Sequence, residues 1–424
     1  MQTQEQALVT PEKTEPPTHQ PWREFVQPWW QATLAVLPTF LVTRFIFLLL
    51  AYFGGVLFIA SNFSPSPVSY HDLLAAWNQG DETSFLAIAS DGYTKAQQAL
   101  FFPLYPTLIR TLAPLFHHSM LATGFFLSNV AFLGVLIVFY RLVETEFERD
   151  TAKRAVLYLA IFPTAFFFFV AYSESLFLLL VLLSFYTMRR GSWWLAGLFG
   201  ALATLTRFEG IFLFVLFLCE FARQKLPQIR QVWGEKQPLE RIRLVSSVLA
   251  SLLIPLALVI YASALNALFG DPFAFIRAQA QQSAGFSFPL LGPLVALKDI
   301  VRQPHTSFVV AHSILDLTAL LLFAALLVLC FFGPERLARN QWTFALFGLL
   351  LLLYALSFPG SAAAHGSPYD ALPSMQRLVL VIFPGFILLA RLGRRAWFHQ
   401  GYLLLALPML AFFVLQFITG HWTV

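Results

Sequence analysis

The sequence predicts an all-α polytopic membrane protein, and three observations support that fold class. Of its 424 residues, 58% are hydrophobic, 16% are aromatic and only 12% are charged, and the mean hydropathy is +0.70. Long apolar runs recur along the chain, and basic residues cluster between alternate runs. A soluble chain carries about 25% charged residues. The composition therefore excludes a soluble protein, a disordered chain and a nucleic-acid-binding protein.

The length of each apolar run predicts the membrane spans in chain order. Crossing about 30 Å of hydrocarbon takes roughly 20 apolar residues in a helix. Six runs reach that length, at 32–60, 119–140, 244–270, 308–333, 342–358 and 401–419. Five shorter runs predict short or tilted helices, at 156–171, 175–188, 193–206, 210–222 and 377–390. We expect about eleven transmembrane helices in one domain, 32–424, after a flexible cytoplasmic tail over 1–31.

Charge placement predicts the orientation of these helices, because Lys and Arg near span ends are retained in the cytoplasm. With the amino terminus cytoplasmic, 19 of the 27 Lys and Arg residues fall in predicted inner segments. This bias accounts for the net charge of +5 without a polyanionic partner. Two long loops, 61–118 and 271–307, then lie on the extracytoplasmic face, where we expect the chemistry.

The first outer loop presents carboxylates at the membrane surface. Apolar residues recur at helical spacing from Asp81 to Ala89, so Asp81 or Glu82 is expected to begin a short interfacial helix. Residues 101–115 are apolar but short and contain three prolines, which favours an interfacial or re-entrant piece over a span. A carboxylate at such a position either caps the helix or acts as a general base toward a hydroxyl. Spacing alone leaves both roles open.

Two charged residues fall inside predicted spans. One unpaired charge at mid-bilayer costs at least ~2.5–3.5 kcal/mol. Counting residues along the two predicted helices places Arg44 and Asp316 at a similar depth in the membrane. We therefore expect both side chains to face the protein interior, as a candidate ion pair.

An ordered set of motifs resembles the PIG-V family, the GPI second mannosyltransferases and their bacterial relatives. The set opens with Asp81-x-x-x-Phe85-Leu86-x-Ile88-Ala89-x-x-Gly92-Tyr93 and Phe101-Phe102-Pro103-Leu104-Tyr105-Pro106. It continues with Tyr172-Ser173-Glu174-Ser175, Thr206-Arg207-x-x-Gly210, Gly270-Asp271-Pro272-Phe273-Ala274-Phe275 with Gln279, and Arg377 before Phe383-Pro384. The resemblance thus extends from the first span to about residue 390.

The resemblance implies a GT-C glycosyltransferase, a polytopic enzyme that takes a sugar from polyprenyl or dolichyl phosphate on the non-cytoplasmic face. In such enzymes an acidic residue of the first outer loop is the presumed catalytic base, which points to Asp81. The family usually has Trp directly before this Asp, whereas residues 78–80 follow Trp77 here, so Glu82 and Asp72 stay as alternates. The Asp-Glu pair also resembles the protein O-mannosyltransferase and aminoarabinose transferase branches.

Transfer from a lipid phosphate requires a site that stabilises an anion. Arginine suits this role because its guanidinium stays charged and forks onto phosphate oxygens. The candidates for binding donor phosphate and sugar are Arg207, Arg277, Arg377, Glu174, Tyr93 and Tyr105. The competing interpretations are that an Arg at a span end extends to lipid phosphate and that Glu174 caps a helix.

No metal or cofactor is predicted. The chain has no His-Glu-x-x-His and no cysteine cluster, since Cys219 and Cys330 lie in separate apolar runs. It also lacks a phosphate-binding Gly-rich loop, which agrees with a lipid-linked donor. We predict an inverting glycosyltransferase, specifically a mannosyltransferase, whose partners are membrane lipids, a polyprenyl-phosphate sugar and a lipid, glycan or protein acceptor. The alternatives are a lipid or glycan flippase and a structural subunit without activity.

Overall fold

The computed structural model describes residues 21–59, 75–234, 238–283, 285–360, 371–372 and 374–420. Within these ranges the chain is helical, and its β-type pairing is limited to one isolated bridge between Ser283 and Gly360. The all-α prediction is confirmed. The α-helices are, in chain order, α1 Pro21–Gly54, α2 Asp81–Asp91, α3 Leu104–Leu112, α4 Met120–Glu146, α5 Arg149–Ala160, α6 Glu174–Arg189, α7 Trp193–Thr206, α8 Phe212–Gly234, α9 Pro238–Leu249, α10 Leu253–Phe269, α11 Ala274–Gln282, α12 Leu291–Arg302, α13 Phe308–Phe331, α14 Trp342–Ser357, α15 Met375–Leu378, α16 Phe383–Leu392 and α17 Ala396–Ile418.

Six helical segments of the described chain are long and apolar enough to cross a membrane, and each coincides with one of the six long predicted spans. They are Val26–Leu57, Met120–Glu146, Pro238–Phe269, Phe308–Phe331, Arg339–Ser357 and Ala396–Ile418. A seventh candidate is the pair Met375–Val381 and Phe383–Leu392, bent by 78° at the break between them. The total of eleven spans stays a prediction. Helix α1 begins at Pro21, so residues 21–31 are helical, and residues 1–20 of the predicted tail lie outside the described residues.

The shorter runs fold less regularly than predicted. Runs 175–188 and 193–206 form α6 and α7, and run 210–222 forms the first half of α8. Run 156–171 is not one helix: α5 ends at Ala160, and a buried 3-10 turn follows over Ala165–Phe168. Pro163 lies in the break, where its missing N–H and the restriction on the preceding residue oppose a continuous helix. After this break the chain continues to the turn before α6.

The first outer loop carries the short helices that were predicted. Helix α2 begins at Asp81 and has its apolar residues Phe85, Ile88 and Ala89 buried. Helix α3 is nine residues long, too short to span a membrane, and a 3-10 turn over Ala113–Phe116 follows it. Helices α2 and α3 pack on α4, through which they join the transmembrane core.

The two intramembrane charges face the interior, as predicted, but do not pair with each other. Arg44 donates to Asn129 Oδ1 at 2.8 Å and to the Phe168 carbonyl at 3.2 Å, and its guanidinium lies 4.4 Å from the Phe132 ring centroid. Asp316, which is fully buried, instead contacts residues of α13 and α15. The sequence fixes depth along a helix, whereas rotation about its axis depends on tertiary packing.

The segments predicted to be cytoplasmic are joined to one another by ion pairs. Arg189, at the end of α6, forks onto Glu146 at the end of α4 and reaches Glu220 of α8 at 3.1 Å. Further pairs between these segments are Arg391–Glu335 and Arg394–Glu148, and Arg223 pairs with Glu220 one turn earlier on α8. The predicted inner loops therefore share one face of the protein.

Candidate active site

A tight turn places Asp81 at the start of α2. Gly80 adopts a left-handed conformation with φ of 62°, which glycine accommodates without steric cost. The hydroxyl of Tyr172 donates to the Gln79 carbonyl at 2.8 Å and accepts from the Asp81 backbone N–H at 3.2 Å. A Cβ added at Gly80 would lie 2.6 Å from that same hydroxyl oxygen. The residues between Trp77 and Asp81 thus form a turn fixed by Tyr172.

Four segments that are distant in sequence converge on Asp81 through a chain of charges. Arg377 donates to the carboxylates of both Asp81 and Glu174. Arg207 donates to the same Glu174 oxygen at 2.6 Å and to Glu209 at 3.0 Å. Three carboxylates therefore hold two guanidinium groups in alternation. Such charge-assisted bonds fix position more firmly than neutral ones.

Each member of the chain sits at the end of a helix or in a short turn. Glu174 is the first residue of α6, and Arg207 directly follows α7. Glu209 lies in the 3-10 turn Phe208–Ile211, which packs so closely on α7 that a Cβ added at Gly210 would lie 2.3 Å from the Thr204 nitrogen. The sequence Thr206-Arg207-x-x-Gly210 is therefore explained by close backbone approach.

Asp81, Arg207, Glu209 and Arg377 line one cavity of about 360 Å³, whereas the buried Glu174 does not line it. Its polar lining comprises Asp81, Ser173, Thr206, Arg207, Glu209, Gln279, Gln282, Ser283, Ser374 and Arg377. Its apolar lining includes the rings Phe85, Phe101, Phe102, Phe208, Phe275, Tyr354 and Phe358. The cavity thus combines charged groups with an aromatic wall, a lining that fits a ligand with one polar and one apolar part.

Exposure to the cavity differs among the charged groups. The side chain of Asp81 is 33% exposed, whereas those of Arg207 and Arg377 are 20% and 8% exposed and that of Glu174 is 1% exposed. The guanidinium carbon of Arg377 lies 4.7 Å from the Tyr172 ring centroid. Burial raises the pKa of the Tyr172 hydroxyl well above its usual range, so this group stays protonated. Asp81 is therefore the accessible carboxylate, held beside a rigidly placed cation.

The two alternates for the base are placed differently. The carboxyl of Glu82 is fully buried and does not line the cavity. Burial raises the pKa of Glu82 well above its usual range, which favours the neutral acid. Asp72 lies outside the described residues. The structure thus favours Asp81 over Glu82 as the group that can meet a substrate hydroxyl.

Besides Glu174, three predicted donor-binding residues do not line this cavity. The Tyr93 hydroxyl donates to the Phe101 carbonyl, and Tyr105 is buried, with its hydroxyl 2.7 Å from Ser128 Oγ. Arg277 is 70% exposed and pairs with Asp271 at 2.9 Å. The tyrosines support the loop that carries the aromatic wall, and Arg277 points to the surface.

Glu209, which the sequence reasoning did not single out, belongs to the charged chain. It stands two residues after Arg207, and that spacing was the available signal. Within the described residues, no cluster of three or more His, Cys, Asp or Glu side chains could hold a metal ion. The chemistry available from the site's own groups is proton abstraction by Asp81 and stabilisation of an anion by Arg207 and Arg377.

The chain is similar to solved structures of an oligosaccharyltransferase from Archaeoglobus fulgidus. The apo form aligns with a TM-score of 0.43 and 12% identity, over 90% of this chain and 56% of that chain. A complex with an inhibitory peptide and a dolichol-phosphate aligns with a TM-score of 0.38 and 12% identity, over 90% of this chain and 55% of that chain. The chain therefore spans about half the length of those proteins. No curated protein matches it.

A family model described as mannosyltransferase (PIG-V) matches residues 60–272. The match covers half of the chain and includes Asp81, Glu174 and Arg207, whereas Arg377 lies beyond it. It confirms the resemblance read from the motifs and supports a glycosyltransferase activity in an integral membrane protein. By this match, the chain belongs to the PIG-V mannosyltransferase family.

Proposed function

We propose that this protein is an inverting mannosyltransferase that moves mannose from a polyprenyl-phosphate donor to an acceptor hydroxyl. One observation carries the proposal: Asp81, Arg207 and Arg377 line one cavity from three segments of the chain, and buried Glu174 from a fourth segment pairs with both arginines. A carboxylate beside two arginines matches a reaction that removes a proton and releases a phosphate. Membership of the mannosyltransferase family supports mannose as the sugar.

In the proposed step, the acceptor oxygen attacks the anomeric carbon of the donor while Asp81 takes the hydroxyl proton. A new carbon–oxygen bond forms to the acceptor, and the bond between the anomeric carbon and the phosphate oxygen breaks. The polyprenyl phosphate leaves with the electron pair of that bond, and its new negative charge lies against Arg377 and Arg207. Attack opposite the leaving group inverts the anomeric centre.

Charge balance explains how an anion enters a site that already holds three carboxylates. Without donor, Arg377 is shared between Asp81 and Glu174, and Arg207 between Glu174 and Glu209. A donor phosphate replaces Asp81 on Arg377, which releases the carboxylate toward the acceptor. Proton transfer then neutralises Asp81, so the leaving phosphate meets less repulsion as its own charge grows.

The cavity wall supports a lipid-linked donor. Six phenylalanines line the cavity together with the charged groups, and such an apolar surface suits an isoprenoid chain better than a nucleotide. We place the cavity on the extracytoplasmic face, because Glu174 begins α6 whereas Arg189, which joins the predicted cytoplasmic loops by ion pairs, ends the same helix. The acceptor is a lipid, a glycan or a protein.

The flippase alternative predicts a continuous polar path between the two faces. The rings of Phe185, Phe344 and Phe383 are fully buried and pack with centroids 5.3–5.4 Å apart. Arg189 of the ion-paired network lies 5.4 Å from the centroid of Phe344. The three packed rings therefore lie against the ion pairs of Arg189. This packing favours an enzyme with a cavity at one face over a transport path.

The proposal is tested by comparing two donors in membranes that contain the protein and its native acceptor. Radiolabelled polyprenyl-phosphate mannose should transfer label to the acceptor, and a nucleotide-linked mannose should not when polyprenyl-phosphate mannose synthesis is blocked. Movement of labelled lipid across the bilayer without any transfer would support the flippase instead. Transfer from the nucleotide donor alone would place the protein in another class of glycosyltransferase.

A further inference from the structure

The short helix that carries Arg377 is held in place by a carboxylate from another helix. Asp316, in the middle of α13, is fully buried. Its Oδ1 accepts a hydrogen bond from the backbone N–H of Gln376 at 3.3 Å, one residue before Arg377. On the other side, Thr164 Oγ1 donates to the Gln376 carbonyl at 2.8 Å. Both backbone polar groups of Gln376 are thus bound by side chains from elsewhere in the fold.

Helix α15 needs such support because its own ends provide little. It has four residues and follows Ser374, a non-glycine residue in the left-handed region with φ of 56°. The Ser374 side chain makes no capping bond to the helix. The N–H groups of a first helical turn have no partners within the helix, so Asp316 fills the place of a missing cap.

Asp316 also has a polar neighbour on its own helix. His312, one turn earlier on α13, places Nδ1 at 3.0 Å from Asp316 Oδ2. A carboxylate inside a span is costly to keep, which marks such residues as candidates for a functional role. Asp316 lies outside the cavity lining, so that role has to act through a neighbour.

Arg377 is the neighbour whose geometry depends on this tether. Its guanidinium has to reach Asp81 and Glu174 together while lying over the Tyr172 ring. With only 8% of the side chain exposed, the group has little room to compensate for a backbone shift. A misplacement of about 1 Å in a binding site can cost ~100-fold in rate.

We propose that Asp316 is a positioning residue for Arg377, and that it sets the affinity of the site for the phosphate of a lipid-linked ligand. The inference rests on the proposed function, in which Arg377 binds that phosphate. It predicts a loss confined to recognition of phosphate, because the aromatic rings that line the cavity belong to other segments.

The test measures binding of polyprenyl phosphate and of the matching polyprenol to the full-length protein in lipid nanodiscs. In Asp316→Ala, affinity for the phosphate should fall at least ~10-fold, whereas affinity for the alcohol stays within ~2-fold of wild type. Asp316→Asn should stay within ~3-fold for both ligands, since the amide oxygen still accepts from Gln376. Ser313→Ala, a buried polar change on the same helix, is the matched control and should leave both affinities unchanged.

Two further variants keep the test decisive. If Asp316→Ala does not yield folded protein, Thr164→Val removes the second tether and should produce the same selective loss, about 3- to 10-fold. In an Arg377→Lys background, the guanidinium of Arg377 is already lost. There Asp316→Ala should lower affinity for polyprenyl phosphate by less than ~3-fold. The positioning role would be overturned if Asp316→Ala lowered affinity for the phosphate equally in both backgrounds. It would also be overturned if the variant lowered affinity for the phosphate and for the alcohol equally.

The outcomes separate this inference from the proposed function. If wild-type protein binds polyprenyl phosphate no better than polyprenol, the lipid-phosphate donor itself is refuted. If wild-type protein prefers the phosphate and Asp316→Ala keeps that full preference, only the role of Asp316 is refuted.

Discussion

Replacing Asp81 by Asn should separate its role as a base from its role as a partner of Arg377. Asparagine keeps the shape of the side chain but cannot accept the acceptor proton. Loss of a positioned general base lowers turnover by about 10²- to 10⁴-fold, which corresponds to ~3–5 kcal/mol in the barrier. We expect kcat to fall within this range.

Donor affinity should not fall in Asp81→Asn, in contrast to kcat. Asp81 competes with the donor phosphate for Arg377, and its side chain is 33% exposed, so their ion pair is worth at most about 1 kcal/mol. Removing the negative charge should therefore leave donor binding unchanged or tighten it by up to ~5-fold. Glu174 still holds Arg377 in the variant, so the cation should keep its place.

The assay measures transfer of labelled mannose from polyprenyl-phosphate mannose over a range of donor concentrations, which gives kcat and KM separately. Asp91→Asn is the matched control, because Asp91 is an exposed carboxylate at the other end of the same helix. Wild-type kcat in Asp81→Asn would refute the base. A large rise in KM with little change in kcat would refute the competition for Arg377 and assign Asp81 to substrate binding.

The remaining predictions concern the charges and the turn around this site. Arg377→Ala should lower the free energy of unfolding by about 1–3 kcal/mol, because the buried Glu174 loses one of its two cations and keeps only Arg207. A wild-type thermal midpoint in detergent would contradict this. Burial raises the folded-state pKa of Glu82, so the folded protein binds an extra proton between pH ~4.3 and that pKa, and stability should fall as pH rises through this window. Glu82→Gln should retain transfer activity. It should also remove from the plot of unfolding free energy against pH a slope of up to ~1.4 kcal/mol per pH unit, measured by comparing variant and wild-type unfolding at each pH. Gly80→Ala should lower the free energy of unfolding by about 1–3 kcal/mol and reduce turnover. The reason is that alanine is strained in the left-handed backbone conformation and its methyl group meets the Tyr172 hydroxyl. An increase in thermal midpoint would be inconsistent with that clash.

The six long spans could be predicted from the sequence because run length and apolarity are local properties. Helix α14 is an example: its sixteen residues contain no charge, and it was predicted as 342–358. Run 156–171 was predicted wrongly as a helix because apolar content does not reveal that Pro163 interrupts it. The turn that results is part of the site, since Thr164 binds the backbone beside Arg377.

The site was predicted in part. The motifs singled out Asp81, Glu174, Arg207 and Arg377, and the structure brings these four residues together. It leaves Arg277 at the surface, although that residue also lies near a family-like motif. The difference is not visible in the sequence, because Arg277 and Arg377 both belong to predicted outer segments and only the path of the chain decides which one reaches the cavity.

By itself, the sequence determined that the chain is a helical membrane protein, where along the chain its six long apolar helices lie, and that a short helix begins at Asp81 or Glu82. Hydrophobic burial and helix capping act over a few residues, so they can be read locally. Only the tertiary structure decided that Arg377 bridges Asp81 and Glu174, that Glu209 completes the charged chain, and that Asp316 supports α15 rather than pairing with Arg44. These contacts depend on how each helix is rotated and packed, and side chains far apart in sequence determine that packing together.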